Sequence, residues 1–289
     1  MDAKQGWFAT DDGHLLYWER HGTPGAEPIF FLHGGPGGRS TRHHLEFFDL
    51  RCFEVILFDQ RGCGRSMPYG ECRLNTTSAC VEDIDCLRQY LGFDKISLLG
   101  ISWGSWLATL YQQHYPCAVG NTTLASLFVP FTDNVRAYDQ TLRHSLSTVT
   151  AGAVSIAPHD IHQALKADCP AKRRQAALHW MKAMLTPQQH SPGSSLLDAF
   201  VDENAVQAVR LELHYHINQY FFIRGHEQPI LNDNTRVIQG IHDRFGMASL
   251  RWLRQHQHVD CHLVHAGHDI FHGALLKTVR DALKRHPPG

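Results

Sequence analysis

Ile96-Ser97-Leu98-Leu99-Gly100-Ile101-Ser102-Trp103-Gly104-Ser105-Trp106-Leu107-Ala108-Thr109 decides how this 289-residue chain reads. Ile96, Leu98 and Leu99 read as a short buried strand. Gly100 to Gly104 is a Gly-x-Ser-x-Gly, and Trp106, Leu107, Leu110 and Tyr111 then fall at helical spacing. Strand, glycine-flanked turn and helix is the setting in which such a pentapeptide becomes a nucleophile elbow. The turn strains the serine backbone, so its neighbours must be small, and Gly100 and Gly104 meet that need. The hydroxyl is lifted clear of the sheet, and the amides of the following helix face any anion formed there. The plain alternative is a tight turn without chemistry; the strand and helix around it favour a nucleophile.

Outward from the elbow, the chain alternates. Trp7 to Glu19 reads as a β-hairpin about Asp11-Asp12-Gly13. Pro28–Leu32 and Phe53–Asp59 are continuous apolar runs, as in strands buried on both faces. The first ends in His33-Gly34-Gly35-Pro36-Gly37-Gly38, the second in the polar loop Gln60–Ser66. Residues 41–50 and 76–91 read as helices, and Val119–Val129 carries another strand. Strand–loop–helix alternation of this kind predicts an α/β fold with a mostly parallel sheet and helices on both faces, with function at the carboxyl ends of the strands. From 131 to 228 strand-like runs vanish and segments 160–168, 172–185 and 202–223 read as helices, with breakers at Pro170, Pro187 and Ser191-Pro192-Gly193. Sheet pattern resumes at Thr235–Gly240 and Val259–Val264, and Phe271–His286 reads as a closing helix. The expected organisation is therefore a core of residues 1–130 and 229–289, interrupted by a helical cap, residues 131–228.

Composition narrows the partners. Net charge is −1 and no basic run is interleaved with aromatics, so nucleic acid is not expected. No apolar stretch is long enough to span a membrane, and the amino-terminal residues lack the apolar core of a signal peptide, which points to the cytoplasm. The eight cysteines are scattered and read as free thiols. The 22 histidines raise the question of metal, with His256-x-His258-x-x-Cys261-His262 and His214-x-His216 as the best stretches. Neither has the spacing of a recognised zinc motif, so no metal is expected. The sequence is silent on oligomeric state.

A serine hydroxyl needs a base to take its proton and a third group to orient that base. After such an elbow the order is Ser, then Asp or Glu, then His, on loops following late strands. Asp243 follows the strand ending at Gly240, and His268 follows the last strand in His265-Ala266-Gly267-His268-Asp269. Asp233, Asp260 and Asp269 are poorer acids by position, as His265 and His272 are poorer bases. The amide of Trp103, next to the nucleophile, is one expected oxyanion donor. The loop after the early strand supplies the second, from Gly35 or else Gly34.

These residues resemble the proline iminopeptidase family of α/β-hydrolases. The resemblance is carried by Asp12-Gly13 with Leu16-Tyr17, by His33–Gly38, by Asp59-Gln60-Arg61-Gly62-Cys63-Gly64-Arg65-Ser66, and by Gly100–Ser105. Gly240-Ile241-His242-Asp243 and Ala266-Gly267-His268 extend it; it is strong over 7–129 and 235–270 and thin between. It implies a cofactor-free serine peptidase that removes N-terminal proline from peptides and grips the substrate's α-amino group with glutamates of the cap. One lies in a segment reading E-N-H-Y-F; Leu211-Glu212-Leu213-His214-Tyr215-His216 is similar, and Glu212 is the match. Glu203 is a further acidic candidate in the cap. Another lies in W-x-x-W-E, where this chain has Trp180-Met181-Lys182-Ala183-Met184 and no glutamate. The implied substrate is a small peptide or amide, with an esterase or amidase on the same triad as the alternative and a non-catalytic binding protein as a more distant one.

Overall fold

The computed structural model describes residues 4–130, 142, 146, 157–185, 201–222 and 231–284. Eight strands form one sheet: β1 (Lys4–Ala9), β2 (Leu15–Gly22), β3 (Glu27–Leu32), β4 (Phe53–Phe58), β5 (Ile96–Ile101), β6 (Val119–Ala125), β7 (Thr235–Gly240) and β8 (Asp260–Val264). Their order is β1-β2-β4-β3-β5-β6-β7-β8. The β1–β2 and β2–β4 pairs are antiparallel, and every pair from β4 to β8 is parallel. The parallel strands run side by side with their carboxyl ends together, so the loops after β3, β5, β7 and β8 share one edge.

Alternation along the central strands builds two cores. Phe30, Leu32, Ile96 and Leu98 face one side, packed with α1 (Thr77–Tyr90), α2 (Trp103–His114) and α6 (Arg244–His256). Ile29, Phe31, Leu99 and Ile101 face the other, against Leu275, Val279 and Ala282 of α7 (Gly273–Lys284). Both faces are covered, which is why these strands read as unbroken apolar runs. Between β6 and β7 lie α3 (Pro158–Ala164), α4 (Pro170–Leu185) and α5 (Glu203–Ile217), gathered around a third core that includes Ile161, Ala177, Trp180, Val209 and Leu213. Helix α5 docks on the sheet domain through Tyr215, whose hydroxyl donates to Asn75 Oδ1 at 2.7 Å and whose ring packs at 5.1 Å from Trp103.

One local expectation changes, and two details are added. Residues 41–50 do not form an α-helix but a 3-10 turn over Arg42–Phe47, closed by Thr41 and His44. The strand from Val119 ends at Ala125, because Ser126 turns to φ 47°. The chain between β7 and β8 forms α6, a helix the motif reading passed over. Residues 131, 228 and 229 at the expected cap junctions, Pro187, Ser191–Gly193, residue 223 and the tail after Lys284 lie outside the described residues. No helix among the described residues is long and apolar enough to cross a membrane.

Candidate active site

Ser102 sits between β5 and α2 at φ 53°, ψ −121°. A non-glycine residue rarely holds this conformation, and it persists where surrounding packing enforces it. Here the packing is explicit. A side chain at Gly104 would collide with the Leu32 carbonyl, and one at Gly100 with the backbone of Gly104. The two glycines let α2 start hard against β3 and β5, which fixes the turn and presents Ser102 at the sheet edge.

His268 reaches that serine from the loop after β8, with Nε2 3.0 Å from Ser102 Oγ. Its Nδ1 lies 2.8 Å from Asp243 Oδ2. The Nδ1 proton is thus held toward the carboxylate, leaving the Nε2 lone pair toward the hydroxyl. Ser126 adds a support, donating its hydroxyl to the His268 carbonyl at 3.1 Å.

Asp243 caps α6, accepting the Gly246 amide at 3.0 Å, and also accepts Gln239 Nε2 at 3.0 Å. It is 3 % exposed. Burial alone raises its pKa, but His268, Gly246 and Gln239 more than offset that and hold the carboxyl below its usual range. The ionised form is therefore the resting form. Gln239 was not singled out from sequence; a glutamine on a central strand four residues before the acid is the signal that was available.

The loop after β3 lies against the nucleophile. A Cβ at Gly34 would come within 3.3 Å of Ser102 Cβ, so the backbone of Gly34 passes directly beside the serine. His33 braces this loop: its Nδ1 lies 2.9 Å from the Gly34 carbonyl, and its Nε2 accepts the Gln60 amide at 3.1 Å. Burial lowers the His33 pKa, which keeps it neutral in that role. Gln60 in turn accepts the Trp103 indole N–H at 3.1 Å. The Asp59–Ser66 segment is scaffolding. Buried Asp59 takes the Ser40 amide and hydroxyl at 2.7 Å each and the Arg65 amide at 2.9 Å. Arg61 holds Asp83 in a fork at 2.6 and 2.7 Å and Asp12 at 2.8 Å. Asp12 lies in the turn of the first hairpin, so this pair of ionic contacts ties hairpin, loop and α1 together.

Glu212 lies on α5, partly accessible but densely surrounded. Burial raises its carboxyl pKa, opposed by the Trp180 indole, which lies beside it too loosely for a full hydrogen bond, and by His216. Met184 follows Trp180 by one helical turn and so shares its face of α4. Glu203, at the start of α5, instead faces Arg173 and Gln207 and is engaged there. Neither histidine-rich stretch singled out above forms a group of three metal-ligating side chains among the described residues; His214 joins Cys72 and His162 instead.

Comparison with known proteins fits this geometry. Residues 27–177 match the family model of the alpha/beta hydrolase fold. The chain is 33 % identical over 258 residues to a proline iminopeptidase of Xylella fastidiosa, covering 83 % of this chain and 80 % of the relative. It is 30 % identical over 310 residues to that of Neisseria gonorrhoeae, covering 97 % and 96 %. Among solved structures, a proline iminopeptidase-related protein from Thermus thermophilus superposes with a TM-score of 0.65 at 22 % identity, covering 100 % of this chain and 99 % of that one. Epoxide hydrolases from hot-environment metagenomes superpose with a TM-score of 0.66 at 19 % identity, covering 98 % of each chain, and share the fold. With a serine elbow on an eight-stranded sheet and a relative matched over nearly the whole of both chains, this chain belongs to the proline iminopeptidase family of α/β-hydrolases.

Proposed function

We propose that the chain is a serine aminopeptidase that releases proline, or another small residue, from the amino terminus of short peptides. The observation that supports it most is the unbroken relay from Ser102 Oγ through His268 to Asp243, at 3.0 and 2.8 Å. In this reading His268 Nε2 takes the serine proton as Oγ attacks the scissile carbonyl. The tetrahedral oxyanion is met by the amides of Trp103 and Gly35, with Gly34 shaping the wall beside the substrate. The imidazolium then gives its proton to the leaving amine, and water hydrolyses the acyl-enzyme by the same path reversed. Asp243 stays ionised throughout. Glu212 pairs with the substrate's ammonium, and residues 131–228 act as a cap over the strand ends. A serine at 102 disfavours the aspartate-nucleophile chemistry of other enzymes with this fold.

One observation favours a second reading, an esterase or amidase on the same triad. Met184, a neutral side chain on the face of α4 that carries Trp180, stands where the resemblance leads one to expect a second amine-binding carboxylate. Turnover of prolyl and alanyl arylamides against short acyl esters separates the two. The proposal expects prolyl arylamide to be the better substrate. Efficient ester cleavage with no arylamide cleavage refutes the peptidase reading and leaves the hydrolase.

A further inference from the structure

Away from the serine, the seam between the helical insertion and the sheet domain holds a second cluster of reactive side chains. Cys72 lies on the loop between β4 and α1, His162 on α3 and His214 on α5. One ligand atom from each, a thiol sulfur and two ring nitrogens, lies within 4.8 Å of the others. Three elements distant in sequence converge there, two from the insertion and one from the core. The rings of His162 and His214 stack with centroids 6.1 Å apart. His214 is held by its Nε2 contact with the Asn75 carbonyl at 2.9 Å.

His162 makes the cluster unusual. It is 3 % exposed, yet neither of its ring nitrogens has a hydrogen-bond partner among the described residues. Buried polar atoms are almost always satisfied, and an imidazole with two orphaned nitrogens aimed beside a thiol and a second imidazole calls for a bound group. One thiolate and two imidazoles suit a borderline-soft divalent ion. Lys166 and Arg210 also face the cluster, as does Glu71. The two cations oppose a bare dication, and burial outweighs them to raise the Cys72 thiol's pKa, so the thiolate that zinc requires forms on metal binding.

We propose that Cys72, His162 and His214 form a zinc site that clamps the helical insertion to the sheet domain. On binding, the Cys72 S–H bond breaks, its proton leaves to solvent, and a zinc–sulfur bond forms, with water in the fourth position. Zinc ligands at about 2.0–2.3 Å stand roughly 3.3–3.7 Å from one another, so the cluster contracts by up to about an ångström. His214 lies two residues beyond Glu212 on α5, so occupancy would also steady the helix that carries the amine-binding carboxylate; that clause alone rests on the proposed function.

The test uses the full chain stripped of metal with a chelator. Zinc is titrated against a chromophoric chelator, and cobalt(II) serves as the spectroscopic probe. The expected result is one zinc per chain, a thiolate-to-cobalt charge-transfer band in the near ultraviolet, and a zinc-induced rise in Tm. Cys72→Ser should abolish the band, and both Cys72→Ser and His162→Gln should weaken zinc binding by at least about tenfold. Absence of the charge-transfer band in the wild type overturns the proposal whatever the variants do. So does a band that survives Cys72→Ser, or zinc binding that is lost in His258→Ala and kept in His162→Gln. No readout depends on turnover, so failure here is distinct from failure of the peptidase reading.

Discussion

Replacing Asp243 with Asn changes one oxygen to an amide nitrogen at the most buried point of the relay. The carboxylate is 3 % exposed and 2.8 Å from His268 Nδ1. Opposite charges about 4 Å apart at an effective dielectric near 20 attract by about 4 kcal/mol, roughly a thousandfold in rate, and the variant loses that attraction when the imidazolium forms. A second loss follows from the neighbours. Gln239 Nε2 and the Gly246 amide both donate to Asp243. The Gly246 amide holds Oδ1, while Gln239 and His268 share Oδ2; an Asn that keeps its carbonyl on Gly246 as the helix cap turns its NH2 toward His268 Nδ1. That forces the proton onto Nε2, the wrong nitrogen for accepting one from Ser102. Together these predict a kcat about 10³ to 10⁴-fold lower on prolyl arylamide. Asn caps helices as well as Asp does, so Tm near neutral pH should fall little. Steady-state kinetics beside a thermal melt checks both halves. A kcat within tenfold of wild type at unchanged Tm refutes the assigned roles of Asp243 and His268.

Glu212→Gln should raise KM for free-amine substrates by about 10 to 100-fold, the range of a lost charge-assisted hydrogen bond, while leaving short acyl esters nearly unaffected. Because burial raises the Glu212 pKa, the folded state holds its proton more tightly than the unfolded chain. Its ionisation therefore costs stability at neutral pH, and the variant should melt no lower than wild type. For the same reason, wild-type KM for free-amine substrates should climb on acidification at a pH above the ordinary glutamate range, where the carboxylate is already being lost. A flat KM down to the usual value of 4.5 would contradict that. Asp243 has the opposite sign: its lowered pKa contributes stability that is present above the unfolded carboxylate pKa and lost as pH falls through the folded value. The small margin of the wild type over Asp243→Asn in denaturant melts should accordingly vanish below about pH 4. Gly104→Ala drives a methyl into the Leu32 carbonyl and should cost about 3 kcal/mol or more with loss of activity, read by urea denaturation.

What the sequence made legible was whatever the backbone dictates locally. The elbow, the β3 glycine loop and the late-strand positions of Asp243 and His268 follow from strand periodicity and from the small residues that tight turns demand. Groups that act through the third dimension were harder to see. Gln239 reads as one polar residue in an apolar strand until Asp243 folds back over it. Asp59, Arg61 and Arg65 look like a chemical motif but serve as a buried ionic brace, because their partners Asp12, Glu19 and Asp83 come from other elements. Residues 41–50 have helical composition, yet Thr41 and His44 close the segment into a 3-10 turn. The histidine-rich stretches lack zinc spacing and argue against metal, whereas Cys72, His162 and His214, far apart in sequence, are brought together only by the fold.

The central claim is that Ser102 is the nucleophile of an aminopeptidase. The direct measurement pairs covalent labelling by a fluorophosphonate, mapped by mass spectrometry, with prolyl arylamide turnover in wild type and Ser102→Ala. The account predicts one label per chain, on Ser102, with turnover lost in step with labelling and reduced by more than about 10⁴-fold in Ser102→Ala. A label on another residue, or a Ser102→Ala protein that still cleaves prolyl arylamide at a comparable rate, contradicts it.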